Sequence, residues 1–196
     1  GPSSCGKTTL SKNLQKILKT PLYHLSYDIV DGYMTPRTFP FADENEAEHD
    51  FLTVMYVSAA AIAKTGRDVV IDNCLFDTQD IYEISREIMH DCDTVFVRIK
   101  ISEENLARRE RERGNRAIGK ALWQNEHITP KDDSAYDVIV STDEPSEFCA
   151  AKIEKEIIFS NRYISVNDRY THRHNAVPGK LDKVCIRNKF YLLPVE

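Results

Sequence analysis

With 196 residues, 41% of them hydrophobic and 29% charged, the chain has the make-up of a globular protein, one domain or one domain with an appendage, with a substantial core. Its net charge of −5 argues against non-specific nucleic-acid binding as the main activity. Five cysteines scattered singly (Cys5, Cys74, Cys92, Cys149, Cys185) form neither a disulfide framework nor a zinc pattern. No apolar run approaches the ~20 residues of a membrane span, so the expectation is a cytoplasmic protein with reduced thiols.

The stretch from Gly1 to Thr9 fits the phosphate-loop pattern G-x-x-x-x-G-K-S/T in full. Gly1 and Gly6 let the backbone curl so that successive N–H groups face phosphate oxygens. Lys7 is placed to reach the β- and γ-phosphates of ATP, and the Thr8 hydroxyl to ligate Mg²⁺. Gly1, Ser4, Cys5, Gly6, Lys7, Thr8 and Thr9 are therefore the candidate nucleotide-binding residues. Leu10, Leu14, Ile17 and Leu18 mark one face of the helix that follows, whose positive N-terminal end points at the same phosphates. Such a loop needs a buried strand to hang from. Either that strand lies upstream of Gly1 or another segment replaces it, and the first is the expectation.

Leu22 to Tyr27 read as a short strand ending at Asp28. In open α/β sheets ligands collect beyond the carboxyl ends of the strands. A carboxylate there, beside a phosphate loop, sits where an acceptor hydroxyl has to lie. Asp28 is the candidate general base, with Asp31 as its competitor and a turn or cap role as the plain alternative. Residues 32–50 form an irregular excursion broken by Gly32, Pro36 and Pro40, which either walls an acceptor pocket or packs as filler. Its acids, Glu46 and Glu48 among them, read as a solvated helix start rather than metal ligands. Phe51, Met55, Ser58, Ala59 and Ile62 then recur at helical spacing up to Gly66.

Asp68 to Asn73 is an apolar run ending in acid, the pattern of a buried parallel strand. Asp72 at its end is either a cap or the second acidic element of a Mg²⁺ site, and its position favours the metal. A helix over Ile81 to Met89 and a strand over Thr94 to Lys100 follow, with Ser102 starting another helix. Between Leu106 and Gln124, Arg108, Arg109, Arg111, Arg113 and Arg116 interleave with Glu110 and Glu112, while Gly114 and Gly119 interrupt any continuous helix. A hinged, arginine-bearing lid is the reading, because phosphoryl transfer is mostly positioning and charge neutralisation.

Tyr136 to Thr142 is the last clear strand, and Asp143 with Pro145 starts a final helix through Ile158. The alternation of strand and helix predicts an α/β fold in three layers, a mainly parallel sheet with helices on both faces, over residues 1–159. Residues 160–196 carry seven Lys/Arg against three Asp/Glu and read as a basic, aromatic C-terminal extension. Lys183 to Ile186 and Phe190 to Leu193 pair as a hairpin in one reading, and an added edge strand or an interaction element is another. Its removal is expected to leave the chemistry intact. His172 and His174 lack a third ligand for a metal site.

The loop Gly1 to Thr8, Tyr27-Asp28 with Pro36 downstream, and Val70-Ile71-Asp72 resemble the chloramphenicol phosphotransferase-like family of P-loop kinases. So do the lid, Arg109 to Gln124, and the closing strand, Tyr136 to Thr142. The resemblance runs to about Ile153 and implies an ATP- and Mg²⁺-dependent kinase acting on an alcohol. By it, Asp28 falls on the proposed base, Arg109 on the adenine ring, and Arg113 and Arg116 near the phosphates. Asn115 stands where the family lid has an acid, and Thr129 where it has a histidine, with His127 close by. The acceptor stays open. A nucleoside or nucleotide kinase would want further arginines, of which Arg37 is the obvious one, and a non-catalytic nucleotide-binding module is the alternative from another class.

Overall fold

The computed structural model describes residues 1–18, 20–28, 44–74, 81–114, 117–127, 130–159 and 189–193. Five strands form one sheet: β1 (Leu22–Ser26), β2 (Asp68–Asp72), β3 (Asp93–Lys100), β4 (Val138–Ser141) and β5 (Lys189–Leu193). Their spatial order is β1-β2-β5-β3-β4, and every pairing is parallel. The helices among the described residues are α1 (Lys7–Ile17), α2 (Glu44–Lys64), α3 (Ile81–Ile88), α4 (Glu103–Arg113), α5 (Lys120–Glu126) and α6 (Ser146–Phe159). None of them is long and apolar enough to cross a membrane.

The strand pleat divides the core. Val70, Val95, Val97 and Ile99 face a layer built from Leu10 and Leu14 of α1 and Ala150, Ile153 and Ile157 of α6. Val69, Ile71 and Phe96 face the opposite layer, where Phe51, Leu52, Met55, Tyr56 and Ala59 of α2 meet Ile81 and Met89. All five residues of β2 are buried because both faces are covered, which is why the strand reads as an unbroken apolar run. The three-layer expectation is met. Within α2 the inward stripe passes through Tyr56 and Ala60 rather than Ser58, which is exposed.

The tail departs from expectation. Lys189–Leu193 is neither an edge strand nor remote from the sheet: it lies at the centre, with Val69 opposite Phe190 and Thr94 opposite Phe190 on the other side. Two ladders satisfy both of its backbone edges, as a central strand requires. Leu193 pairs with Asp72, and the next residue of β2's chain, Asn73, accepts a hydrogen bond at 3.1 Å from the Gly1 nitrogen. The phosphate loop therefore begins at the mouth of the slot that β5 fills. In this structure a segment from the far end of the sequence lies in the sheet beside the loop. Lys183 to Ile186, the other half of the expected hairpin, lies outside the described residues, as do Asp31, Arg37, Asn115, Arg116, Thr129, His172 and His174.

Candidate active site

The loop from Gly1 to Gly6 is shaped by two left-handed residues, Ser4 at φ 66° and Gly6 at φ 101°. A Cβ at Gly6 would meet nothing closer than Arg109 Nη1 at 3.5 Å, an ordinary contact, so conformation rather than space calls for glycine there. The Thr142 hydroxyl at the end of β4 donates to the Cys5 carbonyl at 2.7 Å and pins the curl to the sheet. Lys7 Nζ turns back over the loop to the carbonyl oxygens of Gly1 and Pro2, the latter at 2.9 Å. The Ser4 hydroxyl is buried and makes no hydrogen bond among the described residues, an arrangement that suits a ligand oxygen.

Thr8 and Asp72, which the sequence proposes as metal ligands, meet: the Thr8 hydroxyl donates to Asp72 Oδ2 at 2.6 Å. His24 on the neighbouring strand stands 3.2 Å from the same oxygen. Burial is the largest influence on Asp72 and raises its pKa. The His24 hydrogen bond, the Lys7 charge and the Thr8 hydroxyl together outweigh it and hold the carboxyl below its usual range. A hydroxyl and an ionised carboxylate beside a phosphate cradle are the oxygen donors that Mg²⁺ takes when phosphate and water complete its shell.

Helices α4 and α5 carry the residues that the sequence reads as a lid, and their placement has a local cause. Asp143, expected to open the last helix, instead accepts from the Ser102 nitrogen, the Ser102 hydroxyl and the Asn105 amide at 2.9, 2.9 and 2.8 Å, tying the start of α4 to the end of β4. Gly114 (φ 67°) ends α4 and Gly119 (φ 89°) precedes α5, the interruption that the glycines predict. The buried Glu110 carboxylate closes the gap by accepting from the Gly119 and Ala121 nitrogens, both at 2.7 Å. Gln124 Oε1 then accepts from the Ser3 nitrogen at 2.7 Å and from the Ser3 hydroxyl, docking α5 onto the phosphate loop.

These anchors set a cleft of about 1250 Å³ at the carboxyl end of the sheet. Arg109 borders it from α4, bonded to the Cys5 and Thr142 carbonyls, next to the loop Glu144–Ser146. Arg113, the last residue of α4, reaches 3.8 Å from Asp28, whose side chain is exposed in the cleft just past β1. Ser4, Gly6, Lys7, Thr8, Thr9, Asp28, Asp72, Arg109 and Arg113 all line it, while Arg116 lies outside the described residues. Gly1 and Cys5 are buried beneath the loop.

Four participants were not singled out as site residues in the sequence. His24 supports Asp72, and Glu48 accepts from the Tyr27 hydroxyl at 2.6 Å. Gln124 braces Ser3, and Trp123 beside it lines the cleft. Only Gln124 carried a signal, its spacing in the lid. His24 and Glu48 are distant in sequence from what they touch.

The sequence model of the family described as chloramphenicol phosphotransferase-like protein matches residues 1–158. Among solved structures, a sugar kinase from Janibacter sp. HTCC2649 superposes with a TM-score of 0.58 at 19% identity, covering 82% of this chain and 91% of that one. The Mycobacterium tuberculosis APS kinase, solved in complex with AMPPNP and APS, gives 0.59 at 15% identity, covering 80% and 93%. At such identities these likenesses speak to the fold. No curated protein matches the sequence itself.

Proposed function

From the premise that the chain belongs to the chloramphenicol phosphotransferase-like family of P-loop kinases, we propose that it moves the γ-phosphate of ATP to a hydroxyl of a small molecule. That it is an ATP-dependent phosphotransferase follows from the family; the acceptor class and the residue roles are the proposal. The observation that carries it is the convergence, on one cleft, of Lys7, the Thr8–Asp72 pair and Asp28 with Arg113.

In this reading the loop N–H groups and the Ser4 hydroxyl hold the phosphates, and Thr8 and Asp72 hold Mg²⁺. The ion, when bound, neutralises charge on the β- and γ-phosphates. Lys7 leaves its carbonyl partners to reach the terminal phosphate. Asp28 accepts the proton of the acceptor hydroxyl as its oxygen attacks phosphorus, and Arg113, with Arg116, balances charge on the equatorial oxygens. Arg109 lies against the adenine. The four described cysteines are free thiols, which supports a cytoplasmic setting.

The test is ADP release with and without a panel of alcohols, together with calorimetry of MgATP binding. Release that depends on an alcohol is the expected result. Tight MgATP uptake with no release from any alcohol would support a nucleotide-binding module instead.

A further inference from the structure

Trp123 is the single tryptophan of the chain, is 51% exposed, and lines the cleft from α5. It is held there from both sides. Glu110 grips the start of α5 through the Gly119 and Ala121 nitrogens, and Gln124, the next residue, is bonded to Ser3. The His127 imidazole stacks on the indole, with centroids 4.3 Å apart and planes at 19°. The His127 Nδ1 lies 2.7 Å from the Trp123 carbonyl oxygen. An indole backed by a stacked ring on an anchored helix is a rigid surface.

Its position selects which ligand it meets. Lys7, the residue that reaches β- and γ-phosphates, contacts the carbonyls of Gly1 and Pro2, so the terminal phosphate belongs at the loop's opening residues. Gln124 binds Ser3 at that same end. Arg109, by contrast, is bonded to the carbonyls of Cys5, later in the loop, and of Thr142. An in-line acceptor lies beyond the terminal phosphate, the Trp123 side of the cleft. The lining of the same cleft includes the polar Asp28, Glu48 and Asn73, and the Tyr27 ring packs on Phe51 at 4.7 Å.

We infer that Trp123 is the acceptor platform, and that the acceptor is an alcohol bearing a ring whose flat π or C–H face lies on the indole while its hydroxyl edge meets the carboxylates. This rests on the kinase reading above. Because the indole is unique, its fluorescence reports directly on what lies against it.

The experiment begins with calorimetry of MgATP; no uptake sinks the nucleotide reading and this inference with it. With Mg²⁺ and a non-hydrolysable ATP analogue bound, phenylethylene glycol, glucose and glycerol are titrated in turn against indole emission. A saturable change with the aromatic diol or the sugar, and none with ring-free glycerol, is the expected result, and the two ring probes tell an aryl face from a sugar face. In the variants, which lack the indole, binding is read by calorimetry: Trp123→Ala should weaken binding of that ring alcohol about tenfold, the upper range for a stacked pair, Trp123→Phe should restore it, and both should keep MgATP affinity. Bound nucleotide with neither ring alcohol binding, or with glycerol behaving like the ring probes, overturns the platform and leaves the kinase reading standing. Loss of MgATP affinity in Trp123→Ala would assign the indole to the nucleotide and overturn it equally.

Discussion

Asp28 and Lys7 divide the labour of the proposed transfer, and single substitutions separate them. Lys7→Ala should abolish transfer by removing the ammonium that positions the terminal phosphate. Asp28→Asn should keep MgATP affinity and lower turnover by about 10²–10⁴, the usual contribution of a general base. Steady-state ADP release with calorimetry checks both, and unchanged turnover in Asp28→Asn would pass the role to Asp31. Asp72 adds a pH signature. Its folded pKa is depressed, so its stabilisation is fully present above the unfolded value of about 4 and is lost as pH falls through the lower folded value. Urea midpoints measured from about pH 5 downward should fall less steeply in Asp72→Asn than in the parent chain. An unchanged slope would mean that the His24 and Thr8 contacts leave the carboxyl's affinity for protons as it is in the unfolded chain.

The join between α4 and α5 is held by one buried carboxylate. Glu110 satisfies two backbone nitrogens across the break between α4 and α5. Glu110→Ala leaves both donors without this acceptor, at about 1–3 kcal/mol for a buried group left unpaired. The midpoint of denaturation should drop accordingly, and turnover should fall because Gln124 and Ser3 lose register. Glu110→Gln, which keeps one oxygen acceptor, should recover part of each. A variant with full stability and full activity would show that the turn holds itself. The glycine spacing made a break between two helices legible, since left-handed residues end helices wherever they occur. That Glu110 folds back across the hinge was not legible, because the charge pattern of Arg108, Glu110 and Glu112 looks the same on a solvated face.

For the molecule as a whole, the decisive element is β5. It separates β2 from β3, so without it the sheet is two unconnected pairs with open backbone edges. A chain ending at residue 188 should lose cooperative unfolding and MgATP binding, measured by circular dichroism and calorimetry. Retention of both would mean that another strand can enter the slot. This reverses the expectation that residues 160–196 are dispensable. The reason is that a short apolar run, Phe190 to Leu193, amid basic and polar neighbours reads the same as an edge strand in any local reading.

The phosphate loop, the acids at the strand ends and the alternating elements were determined by local sequence. Each depends on backbone conformation or side-chain period within a few residues, as with Gly6 before Lys7 or the buried run Asp68–Asp72. Tertiary structure alone decided that the last strand sits at the centre, that His24 supports Asp72, and that Gln124, with Trp123 beside it, docks on the phosphate loop. Those relations join residues from 48 to well over 100 positions apart, and only the closing of the sheet brings them within reach of one another.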